Sequence, residues 1–284
     1  MTQKRAIAVH DLSCVGRCSL TVALPVLSAA GVNAAVVPTA LLSTHTGEFT
    51  GYTHLDLSGE LMPIARHLAT LGLHYDAFYS GYLASPEQTR LVESMRALLC
   101  DEQTHVFVDP AFADHGRLYA LMDERMPAEM KRLCRHATTI TPNLTEAALM
   151  LGVPYRDHGY GMDELLSIVR GLAALDVNNV VVTDISFRPQ ELGTAVYLRD
   201  TDMLRMFMKP RFPGVFHGTG DVFASFLLAA LLCGQTIFDA AELASDCTHE
   251  SIRITVAEGQ PYRYGVQFER VLPLMMKRLG LFEA

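Results

Sequence analysis

The segment FHGTGDVFASFLL, residues 216–228, places two glycines and an acidic residue directly before a long apolar run. Gly218 and Gly220 allow the backbone to turn tightly and to approach a ligand closely. The apolar run predicts a buried helix, whose first N–H groups face that turn and favour an anion. Asp221 falls in the first turn of this helix. The simpler interpretation is a helix capped by Thr219 or Asp221, with glycines that serve the turn alone.

Outward from this segment, short β-branched runs alternate with longer amphipathic stretches along the chain. The short runs predict strands at 6–9, 34–37, 77–80, 105–108, 138–140, 180–183, 194–198 and 204–208. Helical periodicity predicts helices at 19–30, 57–71, 87–99, 119–134, 144–151, 162–175, 222–233, 238–256 and 266–279. This alternation indicates an α/β fold of three layers, with a mostly parallel central sheet and helices on both faces. The last two predicted strands form a hairpin at one edge of the sheet.

Composition narrows the class of protein further. The chain has 284 residues, half of them hydrophobic and 19% charged, which is enough for one large core. No long linker or internal repeat interrupts it, so we expect a single domain over 1–284. A net charge of −8 argues against nucleic acid or an anionic membrane as partner. The N-terminal apolar run 6–9 is too short for a signal peptide or a membrane span, and the expected compartment is the cytoplasm.

Polar residues that follow predicted strands are candidate ligand-binding residues, because open α/β sheets bind ligands beyond the carboxyl ends of their strands. The segment TITPNLTE, residues 139–146, ends a strand and starts a helix. Its Glu146 is a candidate for holding hydrated Mg²⁺, which binds through few carboxylates and keeps several waters. The alternative is a capping box, in which Asn143 and Glu146 only satisfy the start of the helix.

Three more segments share this position after a strand. Asp109 and Asp114 lie in a loop where two carboxylates suit a metal–phosphate site, although Asp109 also fits a simple Asp-Pro turn. Residues 181–186, VVTDIS, end a strand in hydroxyl and carboxyl groups, which also suit a turn with local hydrogen bonds. Residues 43–47, STHTG, form a polar loop. The chain has no Walker A loop, no G-x-G-x-x-G and no G-x-S-x-G, which disfavours P-loop NTPases, Rossmann oxidoreductases and serine hydrolases.

Taken together, these segments resemble the ribokinase superfamily, and within it the pyridoxal kinases, over nearly the whole chain. TPNLTE at 141–146 resembles the T-P-N-x-x-E segment that contains the magnesium motif N-x-x-E, and GTGD at 218–221 is similar to the G-T-G-D motif of the anion hole and base. STHTG at 43–47 resembles S-N-H-T-G, and SGY at 80–82 resembles T-G-Y, both of which face the substrate. Asp109-Pro110 with Asp114 resembles the D-P-x-x-x-D loop that covers it. The resemblance implies a ribokinase-like fold.

The resemblance also implies a role for each matching residue. The catalytic base is Asp221, and the anion hole comprises Gly218, Thr219 and Gly220. The implied substrate-binding residues are Asp11, Ser13, Thr46, Tyr82 and Asp221. The implied ATP-binding residues are Asp109, Asp114, Thr141, Glu146, Thr183, Ser186, Gly218 and Thr219. The implied Mg²⁺ ligands, acting through water, are Asn143, Glu146 and Asp109. Asp184 adds a carboxylate near the phosphates, and we expect it to point away or to face the metal.

The implied activity is ATP-dependent phosphorylation of the 5′-hydroxymethyl group of pyridoxal, pyridoxine or pyridoxamine. Mg²⁺ is the implied cofactor, K⁺ is a further candidate, and a homodimer is the implied assembly. The first loop, HDLSCVGRCS at 10–19, departs from the Ser-His start of many pyridoxal kinases, and its Asp-x-Ser pattern also resembles hydroxymethylpyrimidine kinases. That activity is the first alternative. A non-catalytic vitamin-binding protein is the second, and it is disfavoured because base, metal carboxylate and glycines occur together.

Overall fold

A computed structural model describes residues 3–120 and 122–281. Its strands are β1 (Arg5–Val15), β2 (Asn33–Thr44), β3 (His54–Asp56), β4 (Ala77–Ser80), β5 (His105–Val108), β6 (Ala113–Asp114), β7 (Arg117–Leu118), β8 (Thr139–Ile140), β9 (Asn179–Ile185), β10 (Glu191–Leu198) and β11 (Met203–Pro210). Its helices are α1 (Leu20–Ala29), α2 (Ser58–Thr70), α3 (Pro86–Leu99), α4 (Met126–Leu133), α5 (Leu144–Leu151), α6 (Met162–Ala173), α7 (Thr219–Leu232), α8 (Ile237–Ala257) and α9 (Leu272–Arg278).

Nine of these strands form one sheet in the order β11-β10-β9-β8-β5-β4-β1-β2-β3. The six strands from β9 to β2 in that order run parallel, and β3, β10 and β11 are antiparallel to their neighbours. The predicted α/β class and the edge hairpin are therefore confirmed. β3 and the two-stranded ribbon β6–β7 were not predicted, because two or three residues are too few to carry a periodic pattern.

The sheet separates two apolar cores, as expected when successive side chains of a buried strand point to opposite faces. Ile7 and Phe78 belong to the core on the α2–α6 side. Their neighbours Ala6 and Tyr79 belong to the core on the side of α1, α7 and α8. The predicted three-layer arrangement follows directly from this alternation.

Two predicted helices are shorter in the structure than in the sequence pattern. The helix predicted at 119–134 is observed only as α4, because the preceding chain pairs in the β6–β7 ribbon and then turns at Asp123, whose carboxylate accepts the N–H of Arg125. The helix predicted at 266–279 is observed as α9, which carries Pro273 in its first turn and follows the 3₁₀ turn Phe268–Arg270. Conversely, β1 and β2 continue well past the predicted 6–9 and 34–37. Within the two described stretches, no helix has the length and apolarity that a membrane span requires.

Candidate active site

The order of the strands sets the order of the polar residues along the edge of the sheet. Thr183, Thr141 and Asp109 lie at the carboxyl ends of β9, β8 and β5, and backbone bonds extend the ladder through all three. β4 and β1 come next in the sheet. Tyr82 lies just after β4, and Asp11 lies within β1. The predicted nucleotide residues therefore occupy one end of a row, and the predicted substrate residues occupy the other.

Helix α7 points its N-terminus at this row. It begins at Thr219, with Gly218 as its N-cap in the left-handed region at φ 72°, and Asp221 lies in its first turn. The carbonyl of Gly218 accepts the N–H of Val222 at 3.0 Å. The first N–H groups of a helix have no partner within the helix, so they are available to an anion. The predicted glycine turn before a buried helix is confirmed.

Gly218 also touches the loop between β1 and α1. A Cβ atom placed on it would stand 2.0 Å from the backbone carbonyl oxygen of Arg17. Both the positive φ and this contact require glycine at position 218. The N-terminus of α7 is thereby held against the loop that follows the substrate end of β1.

A small cavity of about 90 Å³ lies between the strand ends and α7. It brings together eight of the predicted site residues, namely Asp109, Thr141, Asn143, Glu146, Thr183, Gly218, Gly220 and Asp221. Tyr119 and Ala111 complete its wall. Residues from the carboxyl ends of β5, β8 and β9 and from the starts of α5 and α7 thus converge on one space, although they are far apart in the chain.

Carboxylates dominate the small cavity. Burial raises the pKa of Asp109 to about 7, against one hydrogen bond from Thr141 that lowers it. Burial and the neighbouring Asp109 raise the pKa of Asp221 to about 8. The pKa of Glu146 is raised well above its ordinary value by burial and by Asp109. Carboxyl groups crowded in this way repel one another when ionised, and a cation between them relieves the repulsion.

Asn143 and Glu146 form the capping box that was the alternative to a metal role. Asn143 Oδ1 accepts the N–H of Glu146, and Glu146 Oε2 accepts the N–H of Asn143, both at 2.9 Å. Glu146 Oε1 accepts the N–H of Phe112 at 2.9 Å, and Asn143 Nδ2 donates to the carbonyl of Ala113 at 2.7 Å. Every polar atom of the two side chains is therefore engaged. They anchor the 109–114 loop to α5.

The donor set fits a hydrated cation better than a directly coordinated one. Asp109 Oδ2 is buried and has no partner, so it is a free carboxylate oxygen in the cavity. In the part of the chain that the structure describes, no three His, Cys, Asp or Glu side chains are arranged to hold a metal together. Mg²⁺ suits such a site, because it keeps several waters and draws further oxygens from nucleotide phosphates.

A second cavity of about 220 Å³ continues from the first and shares Tyr119, Asn143, Thr183 and Gly220 with it. Its polar end carries the predicted residues Asp114 and Thr219 together with Asp184. Asp184 therefore faces the cavity. Ser186 does not line either cavity, because its hydroxyl donates to the carbonyl of Arg188 at 2.8 Å.

The far end of the larger cavity is apolar and was missed in the sequence. Phe223, Phe207 and Ile252 line it, and the Phe212 and His249 rings stack with centroids 4.9 Å apart. The sequence pattern of α8 predicts a helix, but it does not distinguish residues that line a cavity from residues that pack in the core. Thr248 on this helix lines the cavity with a buried hydroxyl that has no partner. The burial and the missing partner of this hydroxyl are visible only in the folded structure.

Of the predicted substrate residues, Asp221 lines the small cavity, whereas Asp11, Ser13, Thr46 and Tyr82 line neither cavity. Asp11 is buried, accepts the hydroxyls of Ser13 and Ser19, and has its pKa raised by burial. It is near enough to Asp221 to contribute to the raised pKa of that residue. Burial raises the pKa of Tyr82 to about 12, and its ring centroid lies 6.5 Å from that of Tyr119. Thr46 lies half-buried in the loop after β2.

Carboxylates at strand ends, opposite a glycine-capped helix N-terminus and next to an adjoining larger cavity, define a small-molecule kinase of the ribokinase-like fold. Comparison with known proteins identifies the family. The family model described as phosphomethylpyrimidine kinase matches residues 22–264. The chain belongs to this family, in the branch of the ribokinase superfamily that contains the pyridoxal kinases.

Individual relatives agree with this assignment. A pyridoxine/pyridoxal/pyridoxamine kinase of Bordetella avium is 29% identical over 247 residues, which cover 84% of this chain and 81% of that protein. The crystal structure of a candidate phosphomethylpyrimidine kinase from Bacteroides thetaiotaomicron with pyridoxal is 34% identical, covers 96% of each chain, and has a TM-score of 0.92. The pyridoxal kinase of Lactobacillus plantarum is 29% identical, covers 100% of each chain, and has a TM-score of 0.88.

Gly218→Ala should lower the free energy of unfolding by at least about 1–3 kcal/mol, because the new methyl group is strained at positive φ and meets the Arg17 carbonyl. Gly220→Ala is the matched control. A Cβ atom there meets nothing within 4 Å, and alanine favours a helix by about 0.8–1 kcal/mol over glycine. Urea unfolding measures both. Equal stability of the two variants would contradict the role given to Gly218.

Asp109 should make the ligand-free protein less stable as pH rises. Its pKa of about 7 lies above the ordinary 3.8, so its stabilising contribution is complete below about pH 4 and is lost as pH rises through 7. The slope for one group is at most about 1.4 kcal/mol per pH unit.

Asp109→Asn should flatten this dependence between pH 5 and 8, as measured by urea unfolding at several pH values. Asp123→Asn is the control, because Arg125 holds the pKa of Asp123 at about 2, outside that window. An unchanged slope in Asp109→Asn would show that Asp109 is ionised throughout.

Proposed function

We propose that this chain, acting over 1–284 as one kinase domain, transfers the γ-phosphoryl group of ATP to the 5′-hydroxymethyl group of pyridoxal and related B6 vitamers. The observation that carries the proposal is the placement of Asp221. It lies at the positive end of α7, within the small cavity, between the carboxylates of the nucleotide end and Asp11 of the substrate end. The relative from Bacteroides thetaiotaomicron that was crystallised with pyridoxal supports the choice of substrate.

Asp221 acts as the general base of the transfer. The pKa of a primary alcohol lies far above neutral, so its oxygen needs to lose its proton as it bonds to the γ-phosphorus. The proton passes to the Asp221 carboxylate, the bond from the γ-phosphorus to the bridging oxygen breaks, and ADP leaves. A pKa of about 8 for Asp221 suits proton transfer near neutral pH once cationic groups in the complete site favour its ionised form.

Charge stabilisation comes from the backbone and from the metal. The N–H groups of Gly218, Thr219 and Gly220 face the transferred phosphoryl group and form the anion hole. Mg²⁺ would be held through water by Asp109, Asn143 and Glu146, and when bound it would neutralise phosphate charge. In support of this, Asp109 Oδ2 is buried in the cavity without a hydrogen-bond partner.

The larger cavity holds the nucleotide. Asp114, Thr183 and Thr219 line its polar end, Thr141 lies in the adjoining small cavity, and the apolar end beyond Phe223 receives the base. The hydroxyl of Ser186 donates to the carbonyl of Arg188, so Ser186 is not among the proposed phosphate ligands. Pyridoxal binds beside Asp11, Ser13, Thr46 and Tyr82. A homodimer and a dependence on K⁺ stay predictions from the family resemblance.

The second candidate is a hydroxymethylpyrimidine kinase, which the description of the matching family model favours. Both substrates are heteroaromatic rings with a primary alcohol, so the same base and anion hole serve either one. They differ in the ring polar groups that the substrate end has to recognise.

The substrate assignment is tested by kcat/KM with ATP and Mg²⁺ for pyridoxal, pyridoxine, pyridoxamine and hydroxymethylpyrimidine, measured by ADP release. We expect at least one B6 vitamer to exceed hydroxymethylpyrimidine by about tenfold or more, which corresponds to about 1.4 kcal/mol. The opposite order would assign the chain to thiamine precursor synthesis. Tight pyridoxal binding without ADP release would indicate a non-catalytic binding protein.

Asp221→Asn should lower kcat by about 10²–10⁴-fold, because asparagine cannot accept the proton. The affinity for ATP should change little, since the backbone N–H groups of α7 remain. Asp163→Asn is the matched control, because Asp163 is also an acidic residue in the first turn of a helix but is exposed and remote. Near-normal turnover in Asp221→Asn would disprove its role as base.

A further inference from the structure

Ser19 has an unusual backbone conformation at the start of α1. It occupies the N-cap position with φ 50° and ψ −128°. Residues other than glycine rarely adopt this region, because their Cβ atom crowds the backbone. A serine N-cap ordinarily has an extended backbone and accepts an N–H from the first helical turn. Ser19 makes no such capping bond, so its conformation serves something other than the helix.

The side chain of Ser19 is directed at the substrate end of the site. Its hydroxyl donates to Asp11 Oδ1 at 2.5 Å, and the hydroxyl of Ser13 lies 3.4 Å from the other carboxylate oxygen. Ser19 and Asp11 are each only 4% exposed. A buried carboxylate needs such donors to stay ordered, and Ser19 is the nearer of the two.

The backbone N–H of Ser19 also lies near the proposed base, where it lowers the pKa of Asp221 against the effect of burial. The hydrogen bond from Ser19 to Asp11 is therefore made where the loop between β1 and α1 approaches the start of α7.

Neighbouring contacts keep Ser19 from relaxing. The Arg17 carbonyl packs against Gly218, and the Arg17 N–H donates to the carbonyl of Tyr264 at 3.0 Å. The Thr21 hydroxyl accepts the N–H of Cys18 at 3.2 Å, a bond that restrains the residue directly before Ser19. The loop is thus fixed on both sides. A strained backbone conformation persists only where the surrounding contacts prevent it from relaxing.

We propose that Ser19 is a positioning residue of the kinase reaction, held in a strained conformation so that its hydroxyl orients Asp11 toward the substrate. This inference rests on the proposed function, and it adds a residue that the family motifs do not identify.

Ser19→Gly and Ser19→Ala separate the two contributions. Glycine removes both the strain and the hydroxyl, so Tm should rise by roughly 2–4 °C, while the Kd of pyridoxal rises about tenfold or more because Asp11 loses its nearer donor. Alanine keeps the strain and loses only the hydroxyl, so the Kd of pyridoxal should rise about tenfold with a smaller change in kcat. KM for ATP should change in neither variant.

His136→Gly is the matched control, because His136 also has a positive φ of 58° but lies in an exposed turn remote from the site. It should leave kcat and both KM values unchanged. A Ser19→Gly variant that gains stability and keeps full kcat and pyridoxal affinity would overturn the proposal, as would one that loses stability. Pyridoxal affinity is measured by titration calorimetry without turnover, so a wild-type protein that binds pyridoxal but releases no ADP would refute the proposed function and still test Ser19.

Discussion

The contact between Gly218 and the Arg17 carbonyl is the constraint on which the rest of the site depends. It joins the N-terminus of α7 to the loop after β1, two segments that are distant in the chain. The positive φ of Gly218 turns the backbone so that α7 starts at the edge of the sheet. Asp221, in the first turn, is thereby brought between the nucleotide end and the substrate end. A side chain at position 218 would separate these elements, and the first N–H groups of α7 would move together with Asp221.

The electrostatics of the ligand-free site are unfavourable, and this has a functional meaning. Asp109, Glu146 and Asp221 share a small buried space, and burial raises the pKa of each of them. Such crowding costs stability when the carboxyl groups ionise. A hydrated cation placed among them would relieve this repulsion, so binding of the proposed metal would be favoured by the crowding itself.

Sequence patterns predicted the elements of this fold well and the pairing of remote residues poorly. Eight strands and the glycine turn before α7 follow from local periodicity and from backbone requirements. The length of helix α4 was overestimated, because the β6–β7 ribbon before it depends on a strand pairing that sequence periodicity does not encode. The motif residues Asp109, Thr141 and Thr183 meet because strand order brings their ends together. Ser186 and the α8 wall of the larger cavity depend on the direction of single side chains, which a periodic pattern does not contain.

The N-x-x-E motif illustrates why a structural and a functional interpretation of the same residues need not compete. Asn143 and Glu146 form a complete capping box, and the same carboxylate accepts the N–H of Phe112 from the loop after β5. This bond holds Asp109 and its loop beside the cavity, at the place where the proposed metal binds. Removing the carboxylate would therefore release a helix start and a metal loop together. Glu146 thereby fixes the start of α5 and the loop that carries Asp109 with one carboxylate.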